Sequence, residues 1–111
     1  MEEGSNLEVQ FTPQARADLL SVWHYSADRF GEKNADAYID FLVETLQLLA
    51  GNPQLGRDVD GFPGLKRFLT KKRAGGFGHH MFFRVNGNTL QVVLIVHSAQ
   101  HWANVIDQKL K

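Results

Sequence analysis

The sequence predicts an α+β domain: an N-terminal strand, a helical hairpin packed on an antiparallel β-sheet, and a short C-terminal helix. Three observations carry that prediction. From Pro13 to Ala50 apolar residues recur at helical spacing on both sides of a single break at Gly31. From Leu65 onward the apolar pattern turns strand-like, in three separate runs. The last two runs are joined by Asn86-Gly87-Asn88, whose Asn-Gly step tolerates positive φ and predicts an antiparallel hairpin.

Taken in order, Leu7, Val9 and Phe11 alternate with Glu8 and Gln10, the period-two pattern of a half-buried edge strand. Thr12 is placed to cap the first helix, with Pro13 at its first position. In that helix Ala15, Leu19, Trp23, Ala27 and Phe30 repeat every three or four residues and predict one apolar stripe, with Trp23, Phe30 and Tyr38 read as core. The second arm repeats the pattern through Ala35, Tyr38, Ile39, Leu42, Val43, Leu46 and Leu49. Asp36, Asp40 and Glu44, four apart, form its wet acidic edge. Gly51 and Pro53 stop it. Asn52 to Gly64 carries too many Gly and Pro residues for a regular element and predicts a connecting loop. Strands are then expected at Leu65 to Thr70, His79 to Val85, and Thr89 to His97. Val92 to Val96 is apolar on both faces and reads as the interior strand. After Ser98, Trp102, Val105 and Ile106 predict a short terminal helix, ahead of polar Gln108, Lys109 and Lys111.

The length of 111 residues fits one domain, and folding at this size buries roughly two thirds of the unfolded chain's surface. The absence of cysteine excludes disulfides and thiolate metal sites. No apolar run approaches the roughly twenty residues of a membrane span, so a soluble, cytoplasmic protein is expected. Twelve basic and twelve acidic residues cancel, which argues against a bulk electrostatic grip on nucleic acid. Their distribution is uneven. Residues 1–50 hold nine acids against three bases, a balance of minus six. From Arg57 to Arg84 seven bases outnumber Asp58 and Asp60, so a basic face opposite an acidic one is predicted.

No catalytic, metal or cofactor site is predicted from the residues. His79 and His80 are adjacent in a strand and so point to opposite faces. His97 and His101 are four apart without the glutamate of a zincin motif. Ala74-Gly75-Gly76-Phe77-Gly78 lacks the Lys and Ser/Thr of a phosphate loop and precedes a strand, which fits a flexible hairpin tip. Asp58 and Asp60 have no companion nucleophile, and Ser21, Ser26 and Ser98 lack the Gly context of an activated serine.

Several phrases of the chain resemble the ParE branch of the RelE/ParE superfamily of bacterial toxins. Thr12-Pro13-Gln14-Ala15-Arg16-Ala17-Asp18-Leu19 with Trp23 and Tyr25 looks like the family's opening, and Asn52-Pro53 and Gly56-Arg57 look like its segment after the second helix. Phe82-Phe83-Arg84, then Ile95-Val96-His97 followed by Trp102, are the stronger marks. The resemblance spans most of the chain. It implies the toxin of a type II toxin–antitoxin pair, neutralised by a ParD-like antitoxin whose C-terminal segment wraps the toxin, and it implies DNA gyrase as the target. Operator DNA is then bound only through the antitoxin, within a higher-order hetero-oligomer. On this reading Arg84, His97 and Trp102 are the candidates for target contact. The antitoxin lays apolar anchors in the hairpin's outer groove and meets Arg57, Lys66, Arg67, Lys71, Lys72 and Arg73 with its acidic side chains. The chain departs from the family pattern at Gln100 and His101, where an arginine is common, and in the long loop Lys71 to Gly78. Two alternatives stand beside this one. The RelE branch cleaves ribosome-bound messenger RNA with clustered basic residues and usually a C-terminal tyrosine, but no tyrosine follows Tyr38. A non-toxic antitoxin-binding module is the other.

Overall fold

Thr12 fixes where the first helix begins. In the computed structural model, which describes residues 6–73 and 75–110, its hydroxyl oxygen accepts the Ala15 N–H (3.1 Å), and the hydroxyl donates to the Val93 carbonyl (3.2 Å). One side chain thus caps a helix and ties it to the last strand. The elements are β1 (Glu8–Phe11), α1 (Pro13–Phe30), α2 (Glu32–Gly51), a 3-10 turn (Pro53–Leu55), β2 (Arg57–Asp58), β3 (Lys66–Lys71), β4 (Gly78–Asn86), β5 (Thr89–His97) and α3 (Trp102–Leu110). Between α1 and α2 the chain reverses at Gly31, whose φ of 91° a side chain would oppose.

The α+β architecture is as predicted, with the helical hairpin on one face of the sheet and a C-terminal helix. The five strands run in the order β1-β5-β4-β3-β2. Three of the four pairings are antiparallel, but β1 lies parallel to β5, with Phe11 opposite Val92, so the sheet is mixed. Periodicity places β1 at an edge and cannot set its direction, because partner choice across more than eighty residues is decided by where the hairpin returns the chain. A second difference lies in the predicted loop Asn52 to Gly64. It contains the 3-10 turn and the two-residue strand β2, and it buries Val59. At the other hairpin tip, Ala74 lies outside the described residues, as does Lys111 at the C-terminus. Gly78 starts β4 where a Cβ would overlap the Thr70 carbonyl.

The core is split by the sheet. On the hairpin side Ala15, Leu42, Leu46 and Leu49 meet Met81, Phe83, Leu90, Val92 and Ile95. On the other side Val59, Leu65, Phe82, Val93, Leu94, Val96 and Ile106 of α3 form a second cluster. This is why Val92 to Val96 is apolar without alternation. The register between β4 and β5 shifts at Phe82/Phe83, where Phe82 pairs with Leu94 and Phe83 with Val92, leaving Val93 as a bulge. Thr45 donates to the Phe41 carbonyl (3.1 Å), so the buried Thr70 hydroxyl must donate to Thr45 (3.1 Å) to satisfy both.

Phe30, predicted as core, is 64% exposed. The 18-residue α1 is about 27 Å long and already reaches His97, the last residue of β5, at Tyr25, so among the described residues its final turn has no strand beneath it. Trp23 is half-buried, with its indole N–H donated to Asp36 (2.7 Å), and Tyr38 packs as expected.

Candidate functional site

Three surface regions gather the residues that chemistry or partners can use. The first is an apolar groove on one flank of α1, walled by Phe11, Pro13, Ala17, Leu20, Trp23 and Ile39, with Arg16 as its cation. Leu20 is 59% exposed there. Leu19 follows the helical stripe into the core side, while Leu20, one residue later, turns 100° away and is left to solvent. Beside the outer groove that the family resemblance implies, the doubled leucine in a helix that needs one is the local sequence signal for it.

The second region is the far edge of the sheet, where the basic residues lie. Arg57 on β2 stands opposite Arg67 on β3, and Asp58 opposite Lys66. Lys66 pairs with Asp58 (Nζ to Oδ1 3.0 Å). Arg67 turns to the α3 side, where its guanidinium lies 4.6 Å over the Trp102 ring and its Nη1 donates to His80 Nδ1 (3.1 Å). Burial, followed by the Arg67 charge, lowers the His80 pKa, consistent with a neutral ring that accepts at Nδ1. Arg57, Lys71, Lys72 and Arg73 are exposed. The six antitoxin-contact candidates therefore divide: Lys66 and Arg67 are engaged within the fold, while the other four face solvent.

The third region is the rim at the end of β5. His97 pairs across from His79, with ring centroids 5.1 Å apart. The Tyr38 hydroxyl lies 2.7 Å from His79 Nδ1. Burial pushes the Tyr38 hydroxyl up to about 12. Burial, with the charges of His97 and His80 behind it, holds His79 down to about 4. Burial also lowers the His97 pKa. Both histidines are thus neutral at pH 7. The Ala99 N–H donates to His97 Nδ1 (2.9 Å), which leaves the proton of the neutral ring on Nε2. His97 therefore shows a donor to its surroundings. Among the described residues no group of three or more His, Cys, Asp or Glu is placed to hold a metal ion.

The three target-contact candidates do not converge. Arg84 donates to the Pro63 carbonyl (2.8 Å) on the α3 face, five residues along β4 from the His79–His97 pair, or about 17 Å at strand rise. Trp102 packs on Phe82 (ring centroids 5.7 Å) and under Arg67. His97 lies on the hairpin face beside Tyr25 (6.1 Å) and the 73% exposed Phe77 (5.3 Å). What the fold assembles instead are the Arg67–Trp102–His80 stack and the Tyr38–His79–His97 row, each drawn from residues more than twelve apart. Their distance in sequence hid both pairings.

No helix among the described residues is long and apolar enough to cross a membrane. Comparison with known proteins agrees on one family. The family described as ParE toxin of type II toxin-antitoxin system, parDE, matches residues 9–102. Toxin ParE1 of Mycobacterium tuberculosis is 35% identical over 88 residues, covering 78% of this chain and 84% of that protein. Toxin ParE1 of Caulobacter vibrioides is 27% identical over 88 residues, covering 79% and 85%. A solved structure of the chromosomal ParDE toxin–antitoxin system from P. aeruginosa superposes with a TM-score of 0.68 at 22% identity, over 84% of this chain and 97% of that one.

Proposed function

Because the chain belongs to the ParE toxin family of type II toxin–antitoxin systems, we propose that it is the toxin of a ParDE-type pair, held inactive in the cytoplasm by a ParD-like antitoxin, and that its target is DNA gyrase. The observation that carries the antitoxin half is the α1 groove. Leu20, Trp23, Ile39 and Phe11 offer an apolar trough with one cation, Arg16, and no element among the described residues covers it. An amphipathic helix with apolar anchors at i, i+3 or i+4 and one carboxylate for Arg16 complements it.

Of the exposed bases, Arg57 lies on β2 at the opposite edge of the sheet from β1, Lys71 at the end of β3, and Lys72 and Arg73 in the turn that follows it. A wrapping segment with acidic side chains reaches them after leaving the groove, and their contribution is salt-dependent. Arg67→Glu loses an internal stack as well as a charge, so Lys72→Glu is the cleaner probe of this clasp. Antitoxin affinity that Lys72→Glu leaves unchanged at low and high salt removes the clasp. With zero formal net charge the toxin lacks a bulk electrostatic grip on DNA, and operator binding falls to the antitoxin within a larger complex.

For the target half, the purified chain is added to a gyrase supercoiling reaction with and without antitoxin. Inhibition that the antitoxin reverses is the expected result. A folded protein that leaves supercoiling untouched but cuts messenger RNA in a translation reaction belongs functionally with the RelE branch instead. Growth arrest that persists in a folded Arg84→Ala, His97→Ala double variant takes both residues off the toxic surface.

A further inference from the structure

Between α1 and α3 the last residues of β5 form one wall of a cleft of about 540 Å³. Its size is that of a small-molecule site, roughly 300–1,000 Å³. The Ser98 N–H bonds back to the Gly78 carbonyl (2.9 Å), so Val96 and Ser98 direct their backbone groups at β4, while Ile95 and His97 direct theirs into the cleft. Half of these groups are occupied from within the fold. The Ile95 N–H goes to the Asp18 carboxylate (3.0 Å), and the His97 carbonyl takes the Gln100 N–H (3.0 Å). The Ile95 carbonyl and the His97 N–H have no hydrogen-bond partner among the described residues.

We propose that this cleft is a binding site for a free guanine nucleotide. From His97 back toward Asp18 the wall presents one donor, the His97 N–H, then one acceptor, the Ile95 carbonyl, then a second acceptor, the Asp18 carboxylate. Asp18 accepts from Gln14 at Oδ1 (2.7 Å) and from Ile95 at Oδ2, so each oxygen keeps a lone pair for another donor. The Watson–Crick edge of guanine is the complement in the same order. Its oxo oxygen accepts, its ring N–H donates, and its amino group donates to the carboxylate in a charge-assisted bond. Adenine meets two of the three positions. Uracil and cytosine each turn an acceptor toward an acceptor, which leaves a polar group unpaired.

Shape and charge agree with this ligand. α1 lies over one face of the sheet and α3 over the other, so a flat ring that continues the plane of β5 has Val22 and Tyr25 on one side and Val105 on the other. Bases stack on aromatic rings whatever their identity, so Tyr25 adds affinity and the β5 wall adds selection. The glycosidic bond lies on the far side of guanine from its Watson–Crick edge, so the sugar and phosphates leave the cleft through its open side. There the exposed Lys109 lines the cleft, and exposed Arg29 is held 4.5 Å over the Tyr25 ring, one turn further along α1. Both suit phosphate. Asp18, the only acid among the lining residues, lies at the β5 wall, with the width of the base between it and the phosphates.

The test titrates the isotope-labelled full chain with GTP, inosine triphosphate and ATP and follows the backbone amides. GTP is expected to shift the His97 amide and slow its hydrogen exchange, while the Ile95 amide stays slow throughout. Inosine triphosphate lacks the amino group and binds about tenfold more weakly, with ATP weaker still. Asp18→Asn keeps an oxygen for the Ile95 N–H but offers guanine an amide N–H, so it erases the preference for GTP over inosine triphosphate. Ser21→Trp, at an exposed position of α1 that lines the cleft, fills it and abolishes binding in a chain whose other amide shifts are unchanged. Equal affinities for the three nucleotides, with shifts at Lys109 and none at His97, mean phosphate contact alone and overturn the site. So does the absence of any shift with GTP in large excess. A guanosine-containing RNA strand that moves the His97 amide where GTP does not overturns the free nucleotide as the ligand. None of these outcomes involves antitoxin or gyrase, so the toxin–antitoxin reading stands or falls separately.

Discussion

The two faces of the sheet are finished differently. The hairpin face is roofed by two long helices, of 18 and 20 residues, and its core is mainly aliphatic and aromatic, with the Thr45–Thr70 pair and His79 the polar groups buried beside it. The opposite face is roofed by a nine-residue helix and one loop, and there a cation, an indole and an imidazole stack where a second layer would otherwise continue. The thickly roofed face has apolar side chains to spare, and Leu20 spills into the groove. The thinly roofed face recruits Arg67 inward, so a residue that looks like a partner contact in sequence is holding α3 in place. Exposed charge and exposed grease on this molecule are each what the neighbouring layer left over.

The neighbours Phe82 and Phe83, both fully buried but on opposite faces, test this most severely. Phe83→Ala is expected to lower global stability by about 3–5 kcal/mol in urea unfolding. Phe82→Ala costs no more globally and also releases α3, seen as faster amide exchange over Trp102–Leu110. Equal losses with α3 still protected break the contrast. Acid is the next probe. His79 lies under the hairpin with its pKa lowered to about 4. As pH falls below about 6.5 the unfolded chain binds a proton that the folded one refuses until near 4. Stability is therefore intact above pH 6.5 and falls by roughly 3 kcal/mol toward pH 4. His79→Gln flattens that acid limb, and an unchanged slope in the variant removes His79 as its source.

Antitoxin binding separates the leftovers. Leu20→Asp in the groove is expected to weaken the complex by about 2 kcal/mol, some thirtyfold, at any salt concentration. Calorimetric affinities that do not move would take the groove out of the interface. On the other face Arg67→Ala costs roughly 1 kcal/mol of stability through the lost cation–π stack. Lys72→Ala, on the exposed turn, stays within about 0.5 kcal/mol, and a larger loss would mean the turn is held more firmly than its exposure allows.

Much of this was legible in the residues because it is local. Thr12-Pro13, Gly31 and Asn86-Gly87 punctuate the chain, and Val92 to Val96 announces a strand buried on both sides. The parallel pairing of β1 was not legible, since alternation fixes a strand's faces and says nothing of its neighbour's direction. Phe30 keeps helical spacing to a helix end that has run past the sheet, and periodicity cannot see where the layer beneath stops. The candidate sites were readable as residue types and unreadable as groups. Arg84, His97 and Trp102 share a family pattern yet stand on different faces and ends, while Arg67 and Trp102, 35 positions apart, meet.

The pairing of β1 with β5 also sets an order in time. Phe11 meets Val92, Thr12 meets Val93 and Asp18 meets Ile95, all across some eighty residues of chain. A ribosome adding about 5–20 residues per second spends several seconds between making the first partner and making the last. Until β5 leaves the exit tunnel the sheet has no centre, and both the groove floor at Phe11 and the rim at His97 are unbuilt. A nascent or truncated copy therefore lacks both surfaces, and they appear together once β5 has joined the sheet.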